Sequence, residues 1–155
     1  VAHFKSRYEC HVVTLAGFAG QPAIEEPFLL KQVRDGLVEY IRQKKLERPV
    51  IVGHSLGGFM AFWLGETVPE QVGPIIAVDG VPFFAALNDP KATPESVKPF
   101  AEGMRGVYKD QTPEQFAASF RSFLAAMITD QKDVEKVCQL SEKSDPKAVG
   151  QAMYE

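Results

Sequence analysis

Val50-Ile51-Val52-Gly53-His54-Ser55-Leu56-Gly57-Gly58-Phe59-Met60-Ala61-Phe62-Trp63-Leu64 joins two kinds of apolar pattern at one serine. Up to Val52 the run is short and β-branched, which reads as a fully buried strand opened by Pro49. From Phe59 to Leu64 it is apolar nearly all round, which reads as a buried helix that Pro69 stops. Between the two, Gly53-His54-Ser55-Leu56-Gly57 fits G-x-S-x-G in the strand-then-helix setting that gives this pattern meaning. A serine hydroxyl is a poor nucleophile until a base takes its proton and a rigid frame aims it. A sharp turn here lifts the Ser55 side chain off the sheet and holds its backbone at positive φ. Gly53 and Gly57 are expected where side chains would collide across the turn, and Gly58 where the helix starts close to the strand. Leu56 is expected to present a backbone N–H, free at the helix N-terminus, to a developing oxyanion, with the helix dipole adding favourable potential.

The flanking segments repeat the strand–helix alternation. Cys10-His11-Val12-Val13-Thr14-Leu15 is a strand candidate that ends in the turn Ala16-Gly17-Phe18-Ala19-Gly20. Leu29, Val33, Leu37, Tyr40 and Ile41 recur every three or four residues and predict an amphipathic helix from about Glu26 to Leu46. Pro74-Ile75-Ile76-Ala77-Val78-Asp79 is a further uninterrupted apolar strand. Continuous apolar strands separated by helices predict an α/β class, with a parallel sheet covered on both faces. After Pro82 the strands stop, and Pro90, Pro94, Pro99 and Pro113 punctuate a helical region. Phe116, Phe120, Phe123, Leu124, Met127 and Ile128 form one stripe at helical spacing. Val134, Val137, Cys138 and Leu140 form another. Such stripes read as packed core, with no cofactor role.

With 155 residues, 45% hydrophobic and 24% charged, the chain has the size and composition of one globular domain. A net charge of -3, with cations scattered among acids, offers no basic field for nucleic acid. No stretch reaches the roughly 18 apolar residues of a membrane helix. Cys10 and Cys138 fit no CxxC metal or redox spacing, and both read as buried free thiols. A disulfide between them would need an exported protein, so the compartment stays open. No metal site or cofactor is predicted.

Residues from about Phe4 to Phe84 resemble the central stretch of the α/β-hydrolase superfamily, especially its capped esterase, lactonase and aminopeptidase-like members. Gly53 to Phe59 looks like a typical form of their nucleophile elbow. Tyr8 to Gly20 resembles their fourth strand and its Gly-containing loop, with Leu15-Ala16 where an Asp is usual. Gly73 to Phe84 resembles the sixth strand and the exit into the cap. The resemblance therefore implies that residues 1–84 belong to a partial α/β-hydrolase core and residues 85–155 to a helical cap. It assigns Ser55 as nucleophile and Leu56 N–H as an oxyanion donor. Asp79 stands where some lipase-like relatives carry the triad acid. In capped members the acid more often follows the seventh strand, which makes Asp79 structural or pocket-lining.

In the family the chain order is Ser, acid, His, and no histidine follows Ser55 here. His54 is expected to pack beside the elbow, and His11 to be structural; His3 also precedes the serine. The family's base, its probable acid and its second oxyanion donor are expected outside these residues. So is the third strand, which in the family lies between the strands of Val12 and Val50. Unpaired buried peptide groups cost about 1–3 kcal/mol each. A strand's worth would consume the ~5–15 kcal/mol of net stability of a domain. The start at Val1-Ala2-His3 carries neither Met nor a signal pattern. The chain is therefore expected to be completed by the rest of a longer polypeptide or by another chain.

The implied reaction is hydrolysis of an ester, lactone or small amide through an acyl-enzyme on Ser55. Its small-molecule acyl substrate would lie under Phe83, Phe84, Phe100 and Met104 of the cap. The alternative is a non-catalytic binding or interaction module on the same fold. Carbon–carbon hydrolysis also retains the serine, whereas dehalogenases of the superfamily usually carry Asp there.

Overall fold

The computed structural model describes residues 1–24, 27 and 29–155. The predicted helix start near Glu26 falls outside the described residues, and the helix α1 spans Leu30–Gln43. At its start the Leu30 N–H donates to Glu155 Oε2 at 3.1 Å, tying this helix to the far end of the chain. Its end comes before the predicted Leu46. Lys45 takes φ 52 and donates to the Arg42 carbonyl, while the Leu46 N–H returns to the Ile41 carbonyl at 3.0 Å. This left-handed cap satisfies the last carbonyls and turns Leu46 back onto the apolar face.

The strands β1 (Ile51–His54) and β2 (Ile75–Val78) pair in parallel, with Ile51 opposite Ile75 and His54 opposite Val78. A parallel pair needs a crossover, and α2 (Leu56–Thr67) supplies it. Val38, Ile41, Leu64, Val68 and Val72 form one buried cluster, with Ile51 of β1 against it. The guanidinium of Arg34 on α1 lies 4.6 Å from the Trp63 ring centre on α2, a cation–π contact that joins the two helices.

Four expectations are corrected here. Among the described residues the sheet is covered on one face only. Ile51, Gly53, Ile75 and Ala77 turn to the helices, while Val52 (66%), Ile76 (50%) and Val78 (47%) stand exposed on the other face. The elbow helix is not buried all round, because Met60, Ala61 and Leu64 face inward and Phe62 faces out. Cys10–Leu15 forms no strand. A strand needs a ladder partner, and among the described residues none pairs with this segment, which leaves Val12 73% exposed. Side chains hold it instead. The His11 ring bonds Tyr40 of α1 at 2.8 Å and Glu9 at 3.0 Å, and Leu15 and Phe18 pack on the core. Cys10 is consequently exposed, and only Cys138 is the buried thiol expected.

Beyond a 3-10 turn at Phe84–Leu87 come four helices: α3 (Pro94–Lys109), α4 (Pro113–Met127), α5 (Gln131–Ser141) and α6 (Pro146–Tyr154). Pro94, Pro113 and Pro146 open their helices, where no intrahelical N–H is lost. Pro99 lies inside α3 and does not break it. Phe116 of α4 is fully buried between Tyr108 and Phe120. The two stripes expected as packed core are buried only in part: Val134 and Cys138 of α5 are also buried, but Phe123, Met127, Val137 and Leu140 stand exposed because no further layer covers that side of the two helices among the described residues. Arg121 clamps α4 to α5 through Glu135 and Glu142, both at 2.8 Å, and the guanidinium holds the Glu135 carboxyl below its ordinary range.

The last helix returns to the first layer. Ala148 of α6 shares a buried cluster with Leu30, Val33 and Met60, and Gly150 lies against the Arg105 carbonyl of α3. Three hydrogen bonds clasp the Gly17–Gly20 turn to the loop before α6: Asp145 N–H to the Gly17 carbonyl (2.8 Å), Gly20 N–H to the Lys143 carbonyl (3.0 Å), and Ala19 N–H to Ser144 Oγ (3.0 Å).

Gly36 lies inside α1, and a Cβ there would meet nothing within 4 Å. Gly36→Ala is expected to raise stability by about 0.5–1 kcal/mol through lower unfolded-state entropy. An unchanged or lower thermal midpoint would contradict this.

Candidate active site

At the junction of β1 and α2, Ser55 has φ 52 and ψ -119, the positive-φ apex that the motif predicts. Both ends of its peptide are held. Its N–H donates to the Val78 carbonyl at 2.9 Å, the last rung of the sheet. Its carbonyl accepts from Gly58 N–H at 2.8 Å and Phe59 N–H at 3.2 Å, the first turn of the helix. A residue held at positive φ stores on the order of 1–3 kcal/mol of strain, which persists only where neighbours over-determine it. Here the sheet fixes one side and the helix the other.

Gly53 is required by space. A Cβ on it would strike the Gly57 carbonyl and come 2.6 Å from the Gly58 nitrogen. Gly57 is not, because a Cβ there would meet nothing within 4 Å. The expected collision at Gly57 is thus corrected: its side of the turn points to open space. Gly58 does allow the close start of the helix, since its Cβ would come 2.8 Å from the Gly80 Cα. The sequence reading missed Gly80. Nothing in its local pattern marks it, because the contact joins the elbow to the chain after β2.

The Ser55 side chain is exposed and its hydroxyl has no hydrogen-bond partner among the described residues. The N–H groups of Leu56 and Gly57 likewise have no acceptor among those residues, as expected at positions one and two of a helix. Such free N–H groups at a helix start can receive negative charge developing beside the serine.

None of the three histidines is joined to Ser55 by a hydrogen bond among the described residues. His11 spends both ring nitrogens on Tyr40 and Glu9. Because Glu9 only accepts, Nε2 is the ring nitrogen that donates to it, and in the neutral ring Nδ1 accepts a hydrogen bond from the Tyr40 hydroxyl. This is the structural role expected of it. His54 is exposed at the end of β1, and His3 lies edge-on to Phe4. Asp79 follows β2 with φ 47 and its side chain exposed. Ser55 and Asp79 therefore leave adjacent parallel strands at their carboxyl ends, both at positive φ, in the place where open α/β sheets bind ligands.

Phe84 and Phe100, expected over the serine, stand 71% and 73% exposed. Two grooves are formed away from Ser55, one between residues 20–23 and 142–147 and the other between Ile41–Arg48 and Glu70–Gln71. What marks Ser55 is its backbone geometry. Among the described residues no group of three or more His, Cys, Asp and Glu is placed to hold a metal ion, and no helix is long and apolar enough to cross a membrane.

The two glycines of the motif should respond differently to substitution. Gly53→Ala is expected to lower the thermal midpoint and disrupt the turn, while Gly57→Ala leaves the midpoint close to that of the parent. Equal loss in both variants would contradict the geometry.

The sequence profile of the Alpha/beta hydrolase family matches residues 1–149. Among curated proteins the chain is similar to the pimeloyl-[acyl-carrier protein] methyl ester esterase of Aeromonas hydrophila subsp. hydrophila. The two are 33% identical over 119 residues, covering 73% of this chain and 43% of that relative. The enzyme of the same description from Aeromonas salmonicida is 30% identical over 119 residues, with the same coverage of 73% and 43%. A third, from Vibrio campbellii, is 26% identical over 136 residues, covering 85% of this chain and 49% of the relative. The chain thus spans less than half the length of the curated relatives it matches. No solved structure matches it. By the extent of the profile match, and by the strand–turn–helix built around Ser55, the chain belongs to the alpha/beta hydrolase family.

Proposed function

We propose that this chain carries the nucleophile of an ester hydrolase, with Ser55 attacking the acyl carbonyl of a small-molecule ester, lactone or small amide. The observation that carries this reading is the φ of 52 at Ser55, held between the Val78 carbonyl and the first turn of α2. Positive φ also occurs at the surface turns of Lys45 and Arg48, but Ser55 combines it with a ψ of -119, outside the left-handed helical region, at the carboxyl end of a strand, where a positioned nucleophile is held. The relatives described as methyl ester esterases support an ester as the class of substrate.

In the proposed reaction Ser55 Oγ loses its proton to a histidine and bonds the substrate carbonyl carbon. The carbonyl oxygen becomes an oxyanion, which the Leu56 N–H and the positive end of α2 stabilise. When the carbonyl reforms, the bond to the leaving alkoxide breaks, and the histidine returns the proton to it. Water then enters by the same route in reverse, releasing the acid and restoring the Ser55 hydroxyl. The histidine, the acid that orients it and a second oxyanion donor come from segments other than these residues. Asp79 lines the site from the neighbouring strand. The same segments cover the bare sheet face at Val52, Ile76 and Val78, so the chain alone is inactive.

A fluorophosphonate probe should label the full-length gene product on Ser55 and leave Ser55→Ala unlabelled. A folded full-length protein that takes no label would overturn the reading in favour of a non-catalytic module.

A further inference from the structure

The residue after Asp79 touches the elbow itself. A Cβ on Gly80 would stand 2.6 Å from the Gly58 Cα, 3.0 Å from the Ser55 carbonyl oxygen and 3.1 Å from the Gly58 carbonyl carbon. From the opposite side, a Cβ on Gly58 would stand 2.8 Å from the Gly80 Cα. Backbone meets backbone, with no flexible side chain to give way. Gly58 is the residue whose N–H closes the first turn of α2 on the Ser55 carbonyl, at 2.8 Å. Leu56 and Gly57, whose N–H groups are free, are the two residues inside that turn.

Asp79 brings Gly80 to this contact. After the last rung at Val78 the chain turns at once, and Asp79 takes φ 47 to make the turn. Asp tolerates this left-handed conformation better than most side chains. The geometry points to Gly80 as a positioning residue for the Ser55 site. It seats the first turn of α2, and so fixes where the Leu56 N–H lies relative to the serine hydroxyl. This inference rests on the proposed hydrolase reading for its effect on rate, and on packing alone for its effect on the turn.

The test uses the full-length protein, with Gly80→Ala as the variant and Gly36→Ala as the control. Three things are measured: kcat and KM on p-nitrophenyl acetate, thermal midpoint, and backbone amide shifts. Displacing reactive groups by about 1 Å costs up to ~100-fold in rate, so kcat of Gly80→Ala is expected to fall by about 10- to 100-fold with KM nearly unchanged. Its amide shifts should move at Ser55–Phe59, and the control should show neither effect. Parental kcat in a folded Gly80→Ala overturns the inference. So does a fall in activity that only follows the loss of folded protein.

If the parent itself neither turns over ester nor takes the probe, the hydrolase reading fails. The amide shifts then decide alone: movement at Leu56–Phe59 upholds the contact, and none overturns it. If Gly80→Ala does not fold, Asp79→Gly replaces it, read by amide shifts and not by rate. It frees the turn that delivers Gly80 without adding a clash. The amides of Leu56–Phe59 should then move, and unmoved amides overturn the inference.

Discussion

The peptide of Ser55 is the constraint on which the rest depends. Its N–H is the last rung between β1 and β2, and its carbonyl anchors the first turn of α2. One residue thus serves as the end of a sheet and the start of a helix, and it does both at positive φ. Every requirement around it follows. Gly53 must lack a side chain, Gly58 lies against Gly80, and the first N–H groups of α2 are left without partners among the described residues.

The packing that supports this junction is one-sided. α1 covers α2, α2 covers one face of the sheet, and α6 returns from the far end of the chain to close the cluster around Leu30 and Met60. The Gly17–Gly20 turn is held by the loop before α6, so residues more than a hundred positions apart share the same small core. Opposite that core, Val52, Ile76 and Val78 remain exposed. Apolar β-branched residues in a row on a sheet face are what a second covering layer takes. Their exposure agrees with a chain that spans less than half of its relatives.

Much of this was legible in the sequence because local signals carry it. The Val50 and Pro74 runs became β1 and β2, a strand–turn–helix formed at Ser55, and Phe116 of the α4 stripe is buried while its Phe123 and Met127 stand exposed. The misreadings share a cause. Cys10–Leu15 has the composition of a strand, but pairing depends on a neighbour that the pattern of one segment cannot supply. Leu46 continues the helical period, yet Lys45 turns left-handed and ends α1 first. Gly57 matches the motif, but only the three-dimensional turn shows that its side faces open space.

By itself, then, the sequence determined the class of the fold and singled out Ser55 as the candidate nucleophile. Both follow from a short apolar strand, glycines at fixed offsets and an apolar helix, all within a few residues of each other. Only the tertiary structure decided which glycine is needed for space, that Gly80 lies against Gly58, and that one sheet face stands bare. Those are facts about residues distant in the chain. They are settled by where β2 delivers Gly80 against Gly58 and by which faces the helices reach.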